Sequence, residues 1–485
     1  MGNTGWREHV VEALRRKDWR GGETICRDEL SKNPTDAQAW VFLGETLEHQ
    51  GQGSAAWQCY DRAWMLDPQA AWLPAAAKRL QDKRSGGIPL WLDELLAVPA
   101  VRVVGAIVAR NEAENIGRCI RSLKPAVDEV IVVDTGSTDE TRAIAESEGA
   151  VVVRAQWQDD FGQARRAAEP ALGEDGWVLW VDADEFLDHE DITVPRIVAG
   201  LFDAVRPDVL VRIGQVNYIG TSVQPNYDTT RMYPLGRGWT WRGRIHEQVV
   251  RRNTDERPVV RRPAARIRLD HWGYDTPVMD SRQKIDRNVR LLEQWIEDEP
   301  QNPAAWGFLG RDLYIGGQLE RAVAALSRAE AVAAHDPSYG RLPEVRAVLC
   351  EALVRLHRLE EARAVAERMT TDDPAFPTGW YWRGHVALLQ SDERLKDAVA
   401  WARRARELAP QYRGIVSVSS EVPNFLAALT EADASKMQGR WADALALYQS
   451  LEAAFPGHEG VKRQIAWIRD ESDKIASANQ PVVSS

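Results

Sequence analysis

Two carboxylates one residue apart end an apolar run in the middle of the chain. Residues 177–181 are all apolar, and Asp182 and Asp184 follow them, separated by one alanine. A strand that is apolar on both faces lies inside a parallel sheet, and ligands of open α/β sheets bind at the carboxyl ends of such strands. The pattern therefore predicts an oxygen-ligand site for a hard cation, Mn²⁺ or Mg²⁺. An isolated pair of this kind is also typical of an exposed turn, so its surroundings decide.

Three further strand patterns precede this one, with a helical pattern between each pair. They cover residues 103–109, 129–133 and 150–154. The second ends at Asp134, and the turn after it contains Ser137 and Glu140 at the spacing of a capping box. The order β-α-β-α-β-α-β predicts an α/β, Rossmann-like half sheet. Asp134 is then expected at the same sheet edge as Asp182 and Asp184.

Two common glycine-rich nucleotide signatures are missing from the sequence. The first strand pattern is not followed by G-x-G-x-x-G, and no G-x-x-x-x-G-K-[ST] occurs. Carboxylates repel a diphosphate directly, but a divalent cation between them reverses the sign of the interaction. We therefore expect a metal-bridged nucleotide ligand and no hydride chemistry.

Helical repeats flank the predicted sheet on both sides. Residues 40–68 fit the 34-residue tetratricopeptide pattern, including Trp40, Gly44 and Pro68, and residues 6–34 are a weaker copy. The pattern resumes at Trp306 and continues in degenerate copies. Small residues at the marked positions let paired helices approach closely, and stacked pairs form a groove that suits an extended peptide. Oligomerisation, or scaffolding for other proteins, is the alternative use of such repeats.

These patterns divide the chain into five expected segments. They are N-terminal tetratricopeptide-like repeats at 1–82, a linker at 83–101, a catalytic domain at 102–280, C-terminal repeats at 281–470 and a disordered tail at 471–485. In the linker, apolar residues including Leu90, Trp91 and Leu95 are expected to pack a short segment onto the catalytic domain.

Composition excludes several classes of protein. The formal net charge of −11 argues against a nucleic-acid partner, and no stretch approaches the ~18 apolar residues of a membrane span. No basic-then-apolar signal pattern begins the sequence, so a cytoplasmic location is expected. The four cysteines, at 26, 59, 119 and 350, form no C-x-x-C and are expected to be buried thiols.

Four motifs in the predicted sheet resemble a known family in both content and order. They are VVGAIVARNEAENIGRCIRSL (103–123), DEVIVVDTGSTDET (128–141), WQDDFGQAR (157–165) and WVLWVDADE (177–185). They look like the nucleotide-sugar half of inverting family 2 glycosyltransferases of GT-A fold, over about residues 101–275. RIHE (244–247) and DHWGY (270–274) are similar to sublancin-type peptide S-glycosyltransferases and to lipopolysaccharide-core glucosyltransferases. Repeats before the catalytic domain depart from the sublancin-type arrangement.

The resemblance implies a role for each matching residue. Those that would hold the nucleotide are Ala109, Arg110, Glu112, Asp134, Arg165 and Asp182. Those that would bind the metal are Asp184, His271 and, as an alternative to the ribose, Asp182. Glu247 would be the general base. The family's usual asparagine after Arg165 is replaced by Arg166.

Several of these residues have a structural alternative. Arg165 and Arg166 would also suit the exposed face of a helix, His246 and His271 a structural hydrogen bond, and Glu247 an ion pair with Arg242 or Arg244. The aromatic residues Trp157, Trp239, Trp241 and Trp272 are expected mainly in the core.

The implied activity is inverting, metal-dependent hexosyl transfer, with glucose as the expected sugar, from a UDP-sugar to a Cys, Ser or Thr side chain of a peptide or protein. In such a transfer the acceptor attacks the anomeric carbon from the face opposite the departing UDP, whose growing charge the metal stabilises. Two alternatives stay open. One is a lipopolysaccharide or other saccharide acceptor, and the other is an inactive GT-A fold that serves as a repeat scaffold.

Overall fold

The computed structural model describes residues 5–70, 72–81, 86–205, 208–219, 222–252, 260–271, 278–336, 339–390, 395–414 and 416–478. It divides into two compact units, one up to residue 278 and the other from residue 279. No helix within these described ranges has the length and apolar character that a membrane span needs.

The first unit begins with six helices, of which the first five pack on one another in sequence order and the sixth packs on the second. They are α1 (Gly5–Arg15), α2 (Trp19–Lys32), α3 (Ala37–His49), α4 (Gly53–Leu66), α5 (Leu73–Leu80) and α6 (Leu90–Leu96). Their buried residues form one cluster around Trp40 and Tyr60. A Cβ added at Gly44 would lie 2.5 Å from Cε1 of Tyr60, so the close approach of α3 and α4 requires glycine.

Helix α6 packs against this helical group, and the expectation that it covers the catalytic domain is wrong. Leu92 is buried in the repeat cluster, Trp91 and Leu95 pack at its edge, and the guanidinium of Arg27 lies 4.1 Å from the Trp91 ring centroid. The physical reason is that an apolar stripe specifies burial and not a partner. Here α6 packs on α2, and its last carbonyl, of Leu96, accepts from Arg62 of α4 at 2.8 Å.

An eight-stranded mixed sheet forms the rest of the first unit. Its strands are β1 (Val103–Ala109), β2 (Glu129–Asp134), β3 (Val151–Arg154), β4 (Trp177–Asp182), β5 (Glu185–Leu187), β6 (Val211–Ile219), β7 (Ser222–Pro234) and β10 (Ala264–His271). The order is β3-β2-β1-β4-β7-β6-β10-β5. The helices between these strands are α7 (Ile116–Leu123), α8 (Thr141–Ser147), α9 (Phe161–Arg166), α10 (Glu169–Leu172) and α11 (Val194–Val205). A separate hairpin pairs β8 (Trp239–Arg242) with β9 (Gln248–Arg251).

The first four strands of the sheet pair in parallel, which confirms the predicted Rossmann-like order. Alternate residues of β4 enter two different apolar clusters. Trp177, Leu179 and Val181 lie in one, and Val178 and Trp180 lie in the other. The strand is therefore covered on both faces, as its unbroken apolar sequence requires.

The N-terminal helices contact the sheet through an arginine on β10. Arg266 is buried, its Nη1 donates to Oδ1 of Asp61 on α4 at 2.8 Å, and its guanidinium lies 4.0 Å from the ring of Trp64. Its Nε is 3.1 Å from Oδ1 of the fully buried Asp191. An ion-paired arginine stacked on an aromatic ring joins the repeats to the catalytic sheet within one unit.

The second unit is helical throughout its described residues. Its helices are α12 (Val278–Asp298), α13 (Pro303–Ile315), α14 (Leu319–Ala333), α15 (Leu342–Arg355), α16 (Leu359–Asp372), α17 (Pro377–Gln390), α18 (Leu395–Leu408), α19 (Ala427–Met437), α20 (Trp441–Ala454) and α21 (Glu459–Ala478). From α13 to α21 each helix packs against the next. A Cβ at Gly310 would lie 2.4 Å from Cγ of Leu326, so this pair also needs its small residue.

The cysteines and residues 471–478 have defined positions in helices. All four cysteines are buried and free, as predicted. The predicted disorder from residue 471 is wrong for residues 471–478, which continue α21, and residues 479–485 lie outside the described part. Lys474 pairs with Asp470 and Glu471 one turn earlier, and such pairs support a helix whose composition suggests disorder.

Candidate functional site

The carboxyl ends of three neighbouring strands bring the predicted donor residues together. Ala109 at the end of β1 pairs with Asp134 at the end of β2, and Val108 pairs with Asp182 at the end of β4. Strands β2 and β4 run parallel to β1, which lies between them. Asp134 and Asp182 therefore meet at one edge of the sheet although they are far apart in the sequence. The expected common edge for Asp134 and Asp182 is present.

Two loops at this edge are held together by hydrogen bonds. Asn111, whose φ is +56°, accepts from the backbone N of Thr138 at 2.8 Å, and its own backbone N donates to Oγ of Ser137 at 3.0 Å. The backbone N of Glu112 donates to Oγ1 of Thr141 at 2.7 Å. The predicted capping box is therefore wrong, because the Ser137 hydroxyl joins the other loop.

The predicted nucleotide residues differ in their exposure. Asp134 is buried and accepts from the backbone N of Ser137 at 3.0 Å, which fixes its carboxylate in the turn. Arg110 is exposed, and Glu112 is half-buried with a hydrogen bond from Asn115 at 3.1 Å. The fixed carboxylate of Asp134 thus lies near the longer and more exposed side chains of Arg110 and Glu112.

Two buried arginines hold Asp182. Oδ1 accepts from Nη2 of Arg165 at 3.0 Å, and Oδ2 accepts from Nη2 of Arg231 at 2.6 Å. Burial alone would raise the pKa of Asp182, but the guanidiniums of Arg231 and Arg165 outweigh it and hold the pKa well below the usual range. Both oxygens already face guanidiniums, whose positive charges disfavour a metal ion at this carboxylate.

Arg165 joins this aspartate to the candidate general base. Its Nε donates to Oε1 of Glu247 at 2.6 Å, and its guanidinium lies 5.1 Å from the Trp180 ring and 4.7 Å from the Trp241 ring. The ion pair considered for Glu247 therefore exists, but its partner is Arg165 and not a neighbour in the RIHE motif. With 5% of its side chain exposed, Arg165 is not on an exposed helix face.

The contact between these distant motifs is built from backbone. Phe161 and Gly162, at the start of α9, donate to the carbonyls of Arg244 and Gly243 at 2.8 and 3.1 Å. A Cβ at Gly162 would lie 2.6 Å from the Gly243 oxygen, so only glycine permits this approach. The next residue after Arg165, Arg166, donates to the carbonyl of Trp241 at 2.7 Å and is partly exposed.

Asp184 and His271 form a second, more exposed pair. Oδ2 of Asp184 lies 3.1 Å from Nε2 of His271, with 43% and 22% of the two side chains exposed. The hydrogen bond to Asp184 raises the pKa of His271, against the opposing effect of burial. Strand β5 pairs with β10 in a register that sets His271 opposite Glu185, the neighbour of Asp184. His246, the other candidate histidine, is partly buried between β8 and β9 with φ +50°.

The residues at this edge supply two of the ligands that a divalent cation needs. Within the described ranges, no three or more His, Cys, Asp or Glu side chains gather in a geometry that would hold a metal. Asp184 and His271 are two adjacent ligands of suitable type, and Mg²⁺ or Mn²⁺ commonly completes its shell with water and substrate phosphates. The two residues fit a cation that arrives with a diphosphate, and Trp272, Gly273 and Tyr274 of the same motif lie outside the described residues.

Sequence reasoning missed three residues that the structure places beneath the site. Arg231 on β7, Gln215 on β6 and Glu185 are buried or half-buried and contact one another or Asp182. Glu185 is the last residue of the WVLWVDADE motif, and nothing else in the sequence marks it. Burial raises the pKa of Glu185. Arg231 and Gln215 lie in strands of mixed composition, where no spacing marks them.

The aromatic residues are mostly core, as expected. Trp239 and Trp241 are buried, and Trp157 is partly buried with its ring 4.7 Å from that of Phe161. Trp272 lies outside the described residues.

Comparison with known proteins identifies the two kinds of domain. The family described as "Glycosyl transferase family 2" matches residues 106–254, and "Tetratricopeptide repeat" matches residues 349–413. The SPbeta prophage-derived glycosyltransferase SunS of Bacillus subtilis is 25% identical over 292 residues, which cover 60% of this chain and 67% of that protein. The TPR repeat-containing protein Synpcc7942_0270 of Synechococcus elongatus is 32% identical over 47% of this chain and 56% of its own length. An uncharacterised glycosyltransferase of Rickettsia felis is 45% identical over 89 residues, 18% of this chain and 31% of that protein.

The chain therefore contains a family 2 glycosyltransferase domain and tetratricopeptide repeats, and it is a glycosyltransferase. The expected fold, a GT-A-like α/β sheet flanked by helical repeats, is confirmed. The matched relatives align over about two thirds of their length or less.

Proposed function

We propose that this glycosyltransferase is an inverting, metal-dependent enzyme that transfers a hexose, glucose in the first instance, from a UDP-sugar to a Cys, Ser or Thr side chain of a polypeptide. We further propose that it acts in the cytoplasm with Mn²⁺ or Mg²⁺. The observation that carries the proposal is the acidic edge of the sheet in a family 2 domain, where Asp134 ends β2 and Asp182 ends β4, on either side of β1, and Asp184 follows β4.

The donor would lie across the ends of β1, β2 and β4. Asp134 and the interlocked loops that contain Ala109, Arg110 and Glu112 would accept hydrogen bonds from the uracil N–H and the ribose hydroxyls. Asp182, whose two oxygens face arginines, would bind the ribose rather than the metal. Arg165 keeps that carboxylate oriented and in its ionised form.

Asp184 and His271 are the proposed metal ligands. Their partial exposure leaves room on the solvent side for phosphate oxygens and water. When bound, the cation would neutralise the charge that grows on the departing diphosphate. His271 would hold the cation as neutral imidazole, beside the carboxylate of Asp184.

Glu247 is the proposed proton acceptor for the attacking side chain. The ion pair with Arg165 places its carboxylate at a fixed position beside the donor residues. The acceptor hydroxyl or thiol would approach from that side, opposite the departing UDP, and lose its proton to the Glu247 carboxylate.

The repeats are proposed to recognise the polypeptide. Stacked helix pairs provide grooves suited to extended peptides, and both the helices α1–α5 and the helices α13–α20 supply such pairs.

A UDP-release assay tests the proposal. The full chain is incubated with a panel of UDP-sugars and Mn²⁺ or Mg²⁺, with and without EDTA, and then with peptides or oligosaccharides. We expect EDTA-sensitive release with one donor, stimulated by a peptide that carries Cys, Ser or Thr. Stimulation by saccharides alone would contradict the peptide acceptor, and no release with any donor would favour the scaffold.

A further inference from the structure

The buried side chain Glu185 lies among the residues proposed to bind the ribose and the metal, namely Asp182, Asp184 and His271. It lies at the start of β5, directly after Asp184, and is 1% exposed. Its Oε2 accepts from the backbone N of Asp182 at 2.9 Å. The carboxylate therefore spans the turn between the two aspartates and fixes the path of the chain there.

The other oxygen of Glu185 is held from the opposite side. Oε1 accepts from Nε2 of Gln215 on β6, whose Oε1 in turn accepts from the hydroxyl of Thr229 on β7 at 3.2 Å. Nη1 of Arg231, which also holds Asp182 through Nη2, lies 3.6 Å from Oε2 of Glu185. Both carboxylate oxygens are used, so Glu185 is not available as a ligand itself.

The backbone of Glu185 adds a third constraint. It pairs with His271 in the antiparallel register of β5 and β10. Glu185 thus holds the backbone of Asp182 through its side chain and directly follows Asp184 in the sequence. Its backbone lies opposite His271. Its position determines the relative placement of all three.

We propose that Glu185 is a positioning residue for donor binding, acting through the Glu185–Gln215 hydrogen bond. This inference rests on the proposed function for the roles of Asp182, Asp184 and His271. A carboxylate suits this position because it accepts from both the Asp182 N–H and Nε2 of Gln215, and because its charge lies 3.6 Å from Arg231. A side chain that cannot accept from both sides would release the turn.

The Glu185→Gln variant tests the requirement. Its amide could keep the bond from the Asp182 N–H only if the Gln215 amide turned over and reversed its bond with Thr229, and the variant also loses the negative charge beside Arg231. We expect the affinity for UDP with saturating Mn²⁺, measured by isothermal titration calorimetry, to fall on the order of tenfold, the usual scale for residues that orient metal ligands. The donor KM should rise similarly while kcat changes less.

The double variant Glu185→Gln/Gln215→Glu exchanges the two side chains and should restore the UDP affinity that Glu185→Gln loses. The new amide at position 185 accepts from Asp182 and donates to the new carboxylate at position 215, which still accepts from Thr229. The charge beside Arg231 is kept. We expect UDP affinity to return to within about threefold of the unaltered protein. The Glu169→Gln control, in a pair with Thr240 and Arg252 elsewhere in the unit, should leave affinity unchanged.

The outcomes separate the two proposals. Unchanged affinity in folded Glu185→Gln, or a folded exchange variant that is no better than the single variant, would overturn the positioning role. If neither variant folds, Thr229→Val, which frees only the Gln215 amide oxygen, should still weaken UDP binding at least twofold, and no change would overturn the inference. Normal UDP binding that ignores Mn²⁺ would contradict the metal-dependent function alone, and no UDP binding by the unaltered protein would contradict both.

Discussion

At the scale of single residues, the two aspartates of the acidic motif have different surroundings and so different expected roles. Asp182 faces Arg165 and Arg231 with both oxygens, whereas Asp184 faces His271 and solvent. A carboxylate between two guanidiniums keeps its charge but has few free lone pairs, and an exposed one beside an imidazole resembles a partial metal shell. Residue type alone would treat the two as equivalent.

The Asp184→Asn variant should separate metal binding from folding. The charge is lost, but the side chain is 43% exposed and makes little packing contact, so stability should hardly change. We expect metal-dependent UDP release to fall on the order of a hundredfold. The control Glu190→Gln alters an exposed acid that pairs with Arg268, and it should keep full activity. Equal activity in both variants would remove Asp184 from the metal site.

The Arg231→Met variant should destabilise the sheet, because it leaves Asp182 and Glu185 with too little positive charge. We expect a loss of about 2 kcal/mol at pH 7.5, less than for a fully buried pair because Asp182 is partly exposed. The pKa values of both carboxyls rise in the variant, so protonation at lower pH relieves the cost and the difference from the unaltered protein shrinks as pH falls towards 5.

Hydrogen exchange of β4 and β7 peptides as a function of urea measures this effect. The matched variant Arg237→Met, which breaks a more exposed pair with Asp203, should cost under about 0.5 kcal/mol. A cost for Arg231→Met that is equally small, or that grows as pH falls, would contradict the account of the charge cluster.

At the scale of elements, the site depends on one close approach between α9 and the segment before β9. The Gly162→Ala variant puts a Cβ 2.6 Å from a backbone oxygen, so the segment that carries Glu247 must move and the Arg165 ion pair is lost. We expect transfer activity to fall at least about tenfold with a small change in global stability. The control Gly87→Ala meets no atom within 4 Å. Wild-type activity in Gly162→Ala would show that this approach is not needed.

The sequence predicted the elements of the sheet better than the contacts between them. Unbroken apolar runs mark strands covered on both faces, which is why β1, β2 and β4 and the acids at their ends could be placed. The partner of Glu247 lies 82 residues away, and nothing local distinguishes Arg165 from Arg242 as that partner. The same limit explains the error about α6, since its apolar stripe indicates burial without indicating the surface that it covers.

At the scale of the whole molecule, the chain consists of a catalytic unit that includes its N-terminal repeats and a second, all-helical unit. The Arg266 contact with Asp61 and Trp64 makes the first repeats part of the catalytic unit rather than an appended module. The second unit has its own helical packing, from α13 to α21.

A partly buried histidine in α17 gives the second unit a predicted pH dependence. Burial lowers the pKa of His385 from 6.5 to about 4, and its ring stacks at 5.5 Å from that of Tyr381. The neutral ring is favoured in the fold, so its contribution is complete above pH 6.5 and is lost as pH falls towards 4, up to about 3 kcal/mol. Hydrogen exchange of α17 peptides should report this loss. The His385→Phe variant cannot be protonated there and should show a flatter profile, and an identical profile would contradict the prediction.

Intact mass spectrometry of the acceptor measures hexosyl transfer to a polypeptide side chain without relying on UDP release. The full chain is incubated with UDP-glucose, Mn²⁺ and an equimolar mixture of peptides that carry Cys, Ser or Thr and a lipopolysaccharide core oligosaccharide. The account predicts that a peptide gains the mass of one hexose, and that EDTA or Asp184→Asn prevents this. A hexose found only on the oligosaccharide, or no transfer by a folded protein that binds UDP, would contradict it.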